Sequence, residues 1–308
     1  MDPLAKYLLA NVQVGAADQA AWQQFSAELN RTRDLESTLQ AVTLTPASLQ
    51  HVVRNTRAMI LEDDLKVFRQ LVLRERAFPL VDLFAHLFRS THQTISVVTT
   101  NYDRLAEYAA NLVQSRVNTN VGFTDGYIRN FRLPVTAQSV HLSRQPRCVD
   151  VWKVHGSIDW FIGEDSNPLA LPFTNDYPTP LQPLLVTPGV TKYQITHQEP
   201  FRTIITQADV ALANARGFFC IGYGFNDIHI EPKLVRRAVD LQIPVVILAR
   251  TLREGAKRFI ANCRHDRVLG LERADSGTRA FSTAWPGGIV LPDSSLWELG
   301  PFLEAAIA

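Results

Sequence analysis

Cysteine is scarce in this chain. Its three copies, Cys148, Cys220 and Cys263, are widely spaced in 308 residues. No Cys-x-x-Cys pair occurs, so neither a zinc knuckle nor a disulfide framework is supported. An excess of one charge is also missing. The 31 Lys and Arg nearly cancel the 30 Asp and Glu, for a formal net charge of +1. With no long basic run either, direct nucleic-acid binding is not expected. No apolar run reaches the 18 residues that a membrane span needs, and the amino terminus lacks a charged-then-apolar signal pattern. The expectation is a cytoplasmic protein with no membrane association. The hydrophobic share of 46% supports a sizeable core, as one large α/β domain or two modest ones.

Residues 1–90 read as a helical portion. Trp22, Phe25 and Leu29 recur at helical spacing, as do Leu35, Leu39 and Val42, then Leu49, Val52, Val53 and Ile60, then Leu80, Phe84, Leu87 and Phe88. Thr45 followed by Pro46 reads as an N-cap and first helical position. Residues 91–308 read as an α/β nucleotide-binding core. Strands are expected at 95–100, 151–154, 184–187, 218–221 and 244–248, with a short extended piece at 268–271. The 184–187 strand is broken by Pro188-Gly189. Helices are expected at 103–114, 201–216, 231–241, around Ala256 to Cys263, and at 294–306. Residues 117–150 read as irregular structure with short strands, and a loop rich in Pro, Asn and Asp runs through Pro183. This alternation predicts a doubly wound parallel sheet in a single domain over 1–308. Cys220, inside an apolar run, reads as a small core residue.

Three turns after strands carry polar residues. Open α/β sheets bind ligands at the carboxyl ends of their strands. At Thr99-Thr100-Asn101-Tyr102-Asp103, the Asn101 amide offers a donor and an acceptor and Asp103 a carboxylate. That pair can hold a ribose hydroxyl, a carboxamide or a water; equally, Asp103 can serve only to cap the following helix. At Val154-His155-Gly156-Ser157, an imidazole beside a glycine can act as a general base near neutral pH, or be structural. Its one rival is His229, close to the third turn. At Gly222-Tyr223-Gly224-Phe225-Asn226-Asp227, small residues after a buried strand suit a phosphate or ribose contact, though many α/β turns use Gly and Asn.

Taken together, Thr-Thr-Asn-Tyr-Asp at 99–103, Val-His-Gly-Ser-Ile-Asp-Trp at 154–160 and Gly-Tyr-Gly-Phe-Asn-Asp at 222–227 resemble the bacterial SIR2-like family, a zinc-free branch related to sirtuins. The likeness spans roughly 35–265. Asn101, Asp103 and His155 map onto the Thr-Gln-Asn-Ile-Asp and His-Gly elements of sirtuins. The resemblance implies a Rossmann-like fold that binds NAD as substrate, without zinc. Absence of the four-cysteine ribbon argues against peptide deacylation. The zinc-free relatives are commonly NAD glycohydrolases of antiviral defence. They act as oligomers or with a partner such as a HerA-type ATPase, an Argonaute or a phage-derived activator. The implied catalytic residues are Asn101, His155 and Asp103. Thr100, Gly156, Ser157, Gly222, Tyr223, Gly224, Asn226 and Asp227 are the implied nucleotide contacts.

One family element is missing. The usual first strand and its Gly-Ala-Gly-x-Ser loop have no counterpart here; Val14-Gly15-Ala16-Ala17 lacks the second glycine and a buried strand before it. A missing upstream segment is the expectation, and a continuous sheet with every central edge paired would contradict it. Three functions remain open: an NAD-consuming enzyme, a non-catalytic nucleotide-binding or scaffold subunit, and an enzyme acting on a related nucleotide such as ADP-ribose or a cyclic derivative.

Overall fold

A computed structural model describes residues 3–32, 35–117, 121–125, 147–163, 168–171, 177, 181–186, 198–227 and 230–307. Most of the expected irregular stretch 117–150, the Pro188-Gly189 break and His229 lie outside these residues. The chain is a mixed α/β protein that divides into two compact units. One contains residues 1–78 and 88–205; the other contains 79–87 and 206–308.

Four helices open the first unit: α1 (Pro3–Asn11), α2 (Gln19–Thr32), α3 (Leu35–Ala41) and α4 (Pro46–Val72). Their shared core contains Leu8, Trp22, Phe25, Leu29, Leu39 and Val52. These are largely the positions whose helical spacing marks them in the sequence. The Thr45 side chain accepts from Ser48 N at 3.3 Å, with Pro46 behind it, so the cap is where the sequence places it.

Asp18 reinforces this helix start. Its carboxylate accepts from the Thr45 hydroxyl at 2.7 Å and the Ser48 hydroxyl at 2.8 Å. These bonds, Thr45's first, hold its pKa below the usual value of 3.8. A lowered folded-state pKa means a contribution present above the unfolded value and lost as pH falls through the folded one. The stability difference between wild type and Asp18→Asn should therefore be present at neutral pH and vanish in acid below pH 3.8. Urea unfolding across pH checks this; a difference independent of pH would contradict it.

The first unit also holds two sheets. The three-stranded parallel sheet is ordered β1 (Thr94–Thr99), β3 (Arg147–Lys153), β2 (Val121–Thr124). Helix α6 (Leu105–Leu112) follows β1. An antiparallel sheet places β4 (Gly156–Ile162) between β5 (Pro168–Ala170) and β6 (Gln182–Leu185). Arg57 of α4 donates to Ile158 O at 2.6 Å and lies 4.9 Å from the Phe161 and Tyr177 ring centres, tying α4 to β4. Helix α7 (Phe201–Asn214) begins in this unit and ends in the other.

In the second unit, five strands are ordered β11 (Ile289–Pro292), β10 (Gly277–Phe281), β9 (Val268–Ala274), β8 (Val245–Ala249), β7 (Phe218–Ile221). β7, β8 and β9 are parallel; β9, β10 and β11 are antiparallel. Helices α8 (Glu231–Leu241) and α9 (Glu254–Asn262) supply Leu234, Ala238, Ala256 and Phe259 to a core with Ile247 of β8. A second cluster around Leu248, Leu271 and Ala280 takes Phe302 from α10 (Leu299–Ile307). α5 (Pro79–Leu87) packs beside α10. Cys220 is buried, as its apolar setting predicts, and burial pushes its thiol up to about 12. Among the described residues, the parallel strands are β1, β3 and β2 in the first unit and β7, β8 and β9 in the second. Among the described residues, β1 and β7 each end their sheet.

Candidate active site

Two expected residues leave neighbouring strands at the same end. β1 and β3 run parallel, from Thr94 opposite Cys148 to Thr99 opposite Lys153. Asn101 lies two residues beyond Thr99, and His155 two residues beyond Lys153. Adjacent strands are about 4.8 Å apart. The amide and the imidazole therefore belong to adjacent turns at one carboxyl edge. Asn101 is exposed, with its backbone N donating to Thr99 Oγ1 at 3.0 Å; His155 is half-buried.

The turn that carries Asn101 is anchored from several directions. Val154 N donates to Thr99 O at 3.1 Å, and Ile158 N to Tyr102 O at 3.0 Å. The Tyr102 hydroxyl donates to Val186 O at 2.7 Å, and Val186 N to His155 O at 2.9 Å. Beneath these bonds lie buried charges. Asp64 of α4, 0% exposed at its side chain, accepts from Arg104 N at 2.8 Å, Nε at 3.0 Å and Nη2 at 2.6 Å. The Tyr108 hydroxyl also donates to it. Lys153, likewise 0% exposed, donates to Asp103 O and, at 3.1 Å, to Glu107 Oε1.

These environments shift the ionisable groups. Burial lowers the Arg104 pKa, but the Asp64 carboxylate outweighs it and holds the guanidinium above its ordinary value. Burial pushes Glu107 up against the opposing pull of the Lys153 ammonium. Burial and the bond to Asp64 push the Tyr108 phenol up.

The remaining expected residues of this unit have structural contacts. Asp103 Oδ1 accepts from Leu105 N at 3.1 Å, a local turn one residue ahead of Arg104, which holds the N-cap position of α6 without a side-chain cap bond. Thr100 is half-buried directly after β1. Ser157 is buried and donates to Tyr102 O at 3.4 Å. Gly156 has φ +92°, and a Cβ there would collide with the Leu184 carbonyl where β4 meets β6. Gly156→Ala should destabilise the chain by about 1–3 kcal/mol from the left-handed backbone alone. Chemical denaturation measures this; wild-type stability in the variant would show that the turn relaxes freely.

The third turn lies in the second unit. Gly222, at φ +64°, donates to Leu248 O at 2.8 Å, and a Cβ there would meet nothing within 4 Å. Tyr223 and Phe225 have ring centres 4.9 Å apart, and burial followed by the Asp227 carboxylate pushes the Tyr223 phenol up. A Cβ on Gly224 would lie 3.1 Å from Asn226 Oδ1; Asn226 itself is exposed. Asp227 is buried, and its Oδ1 accepts from Ile230 N at 3.2 Å just ahead of α8.

Residues 95–240 match the family model of the SIR2-like domain. The match runs from β1 into α8 and takes in all three turns. It supports a likeness to the SIR2-like family over these residues. No curated protein matches the chain. Among the described residues, no cluster of three or more His, Cys, Asp or Glu is arranged to hold a metal ion, and no helix is long and apolar enough to cross a membrane.

Sequence reasoning singled out the turns of the SIR2-like segment but missed their supports. Lys153 directly precedes the second motif, yet a lysine between Trp152 and Val154 gives no sign of a partner at Glu107. Asp64 and Arg104 are 40 positions apart, so their pairing depends on the tertiary fold.

Proposed function

We propose that this chain is an NAD+ glycohydrolase that cleaves the nicotinamide–ribose bond. The observation that carries the reading is the paired departure of Asn101 and His155 from adjacent parallel strands in a segment matching a SIR2-like domain. The C–N bond breaks with its electron pair passing to the nicotinamide nitrogen. A water oxygen bonds to ribose C1′, and its proton passes to His155, giving ADP-ribose and free nicotinamide. Asn101 positions the ribose or the water. Asp103 orients a polar group on the nicotinamide side. Thr100, Gly156 and Ser157 shape the turns around this half. Gly222, Tyr223, Gly224, Asn226 and Asp227 are nucleotide contacts by the family resemblance alone. The oxocarbenium-like transition state has little covalent demand on the protein, so positioning and electrostatics supply most of the catalysis.

The biological setting that fits this activity is NAD depletion in antiviral defence, through a homo-oligomer or a partner that senses infection. The lack of a Gly-Ala-Gly-x-Ser loop in the sequence favours a second reading, a non-catalytic SIR2-like nucleotide-binding or scaffold subunit. Chromatographic measurement of nicotinamide and ADP-ribose from NAD decides between them. Equimolar release of both products, lost in Asn101→Ala and His155→Ala, is expected. Release that survives both substitutions removes the site assignment. No release under any oligomeric or partnered condition favours the scaffold.

A further inference from the structure

A buried ammonium joins the two turns that carry Asn101 and His155. Lys153 is the last residue of β3, and the chain reaches His155 two residues later. Its backbone lies opposite Thr99, the last residue of β1. Its side chain, 0% exposed, crosses to the neighbouring turn. There Nζ donates to the Asp103 carbonyl, two residues past Asn101, and at 3.1 Å to Glu107 Oε1 in the first turn of α6. The Asn101 turn is therefore held at both ends from the β3 side. Val154 N bonds Thr99 O at its start, and Lys153 Nζ bonds Asp103 O at its close. Asn101 stands between these two anchors, exposed.

Stability alone does not account for a lysine in this place. Side chains alternate across a strand, so Val149, Val151 and Lys153 share one face of β3, and all three are buried. Lys153 thus occupies the last position of an inward stripe that is otherwise valine. Taking an ammonium and a carboxylate out of water costs about as much as their attraction returns, so an apolar residue would serve the core as well. What an apolar residue cannot supply is a directed bond. An ammonium carries three donors, and a charge-assisted bond to a carbonyl fixes both distance and direction. Glu107 holds that ammonium from α6, so one side chain ties β3 to the turn and to the helix after it.

We propose that Lys153 is a positioning residue: through Asp103 O it fixes the turn bearing Asn101 against the strand end bearing His155. Its effect on rate rests on the hydrolase reading above; its effect on the turn does not. Lys153→Met keeps most of the apolar stem and removes the donors. Hydrogen exchange of the full chain, read by mass spectrometry, should be about tenfold faster in peptides spanning residues 100–104 and unchanged in those of α4 and of the second unit. In nicotinamide release, kcat should fall about tenfold with KM little changed, because the same side chains still meet the substrate but are less well placed as it reacts. Wild-type exchange at 100–104 overturns the assignment. So does exchange raised equally throughout the first unit, which marks a residue that only maintains the fold, and so does a raised KM with kcat unchanged. If the variant does not fold, the wild type decides: in 15N-lysine-labelled protein, one ammonium signal should be protected from water exchange and coupled to the Asp103 carbonyl, and its absence overturns the assignment. Failure here is distinct from failure of the hydrolase reading. A wild type that releases no nicotinamide loses the chemistry, and exchange at 100–104 still decides the role of Lys153. A wild type whose nicotinamide release Lys153→Met matches in kcat and KM loses only the role of Lys153.

Discussion

Asp64→Ala should destabilise the first unit by about 1–3 kcal/mol, because it removes the carboxylate that takes three hydrogen bonds from the buried Arg104, whose charge then faces Asp159 alone among the carboxylates that raise its pKa. Arg104 is 4% exposed at its side chain and takes all three of its described Asp64 contacts from one carboxylate. A lysine in this position could shed its proton; a guanidinium cannot at any pH that keeps the chain folded. The Tyr108 hydroxyl would lose its acceptor as well. Urea unfolding of the variant against wild type gives the figure. A loss below about 1 kcal/mol would place the pair in the range of solvated surface ion pairs and contradict its burial. Arg104 directly follows Asp103, so the variant should also loosen the turn that presents Asn101.

The turns of the site were readable from sequence while their supports were not, and the reason is range. β1 announces itself by its β-branched run, and Thr45-Pro46 announces α4, because both signals are local. The helix at Glu231–Leu241 is found at its sequence-derived bounds, with Pro232 in its first turn. β4 was hidden because Gly156–Ile162 mixes Ser157, Asp159 and Trp160 in a segment buried on both faces, so it shows no period of two. The β10–β11 pair escaped because its strands are short and joined through Trp285 and two glycines, which read as a loop. Asp64 follows Glu62 and Asp63 in a run that resembles a solvated helix face, yet Glu62 and Asp63 pair with Lys66 at the surface while Asp64 turns inward. Only the partner, distant in sequence, distinguishes it. The single doubly wound sheet followed from strand–helix alternation, a pattern that predicts parallel pairing but not which strands become neighbours.

His155→Ala should lower the rate of nicotinamide release by about 10²–10⁴-fold if the imidazole is the general base. Asn101→Ala should fall in the same direction, since an amide that positions the ribose or the water acts mainly as the transition state forms. Both losses belong in kcat with KM little changed, because an interaction made only in the transition state leaves ground-state binding intact when it is removed. Unfolding curves matching wild type would separate these effects from those of the buried ion pairs, which act through the fold. Asp103 permits a sharper distinction. Its carboxylate accepts from Leu105 N one residue ahead of the N-cap position, and asparagine preserves an acceptor for that bond. Asp103→Asn should therefore keep the turn and wild-type stability. If activity also persists, Asp103 is a turn residue and the chemistry rests on Asn101 and His155. If kcat falls while the unfolding curve does not move, its charge acts on the bound nucleotide.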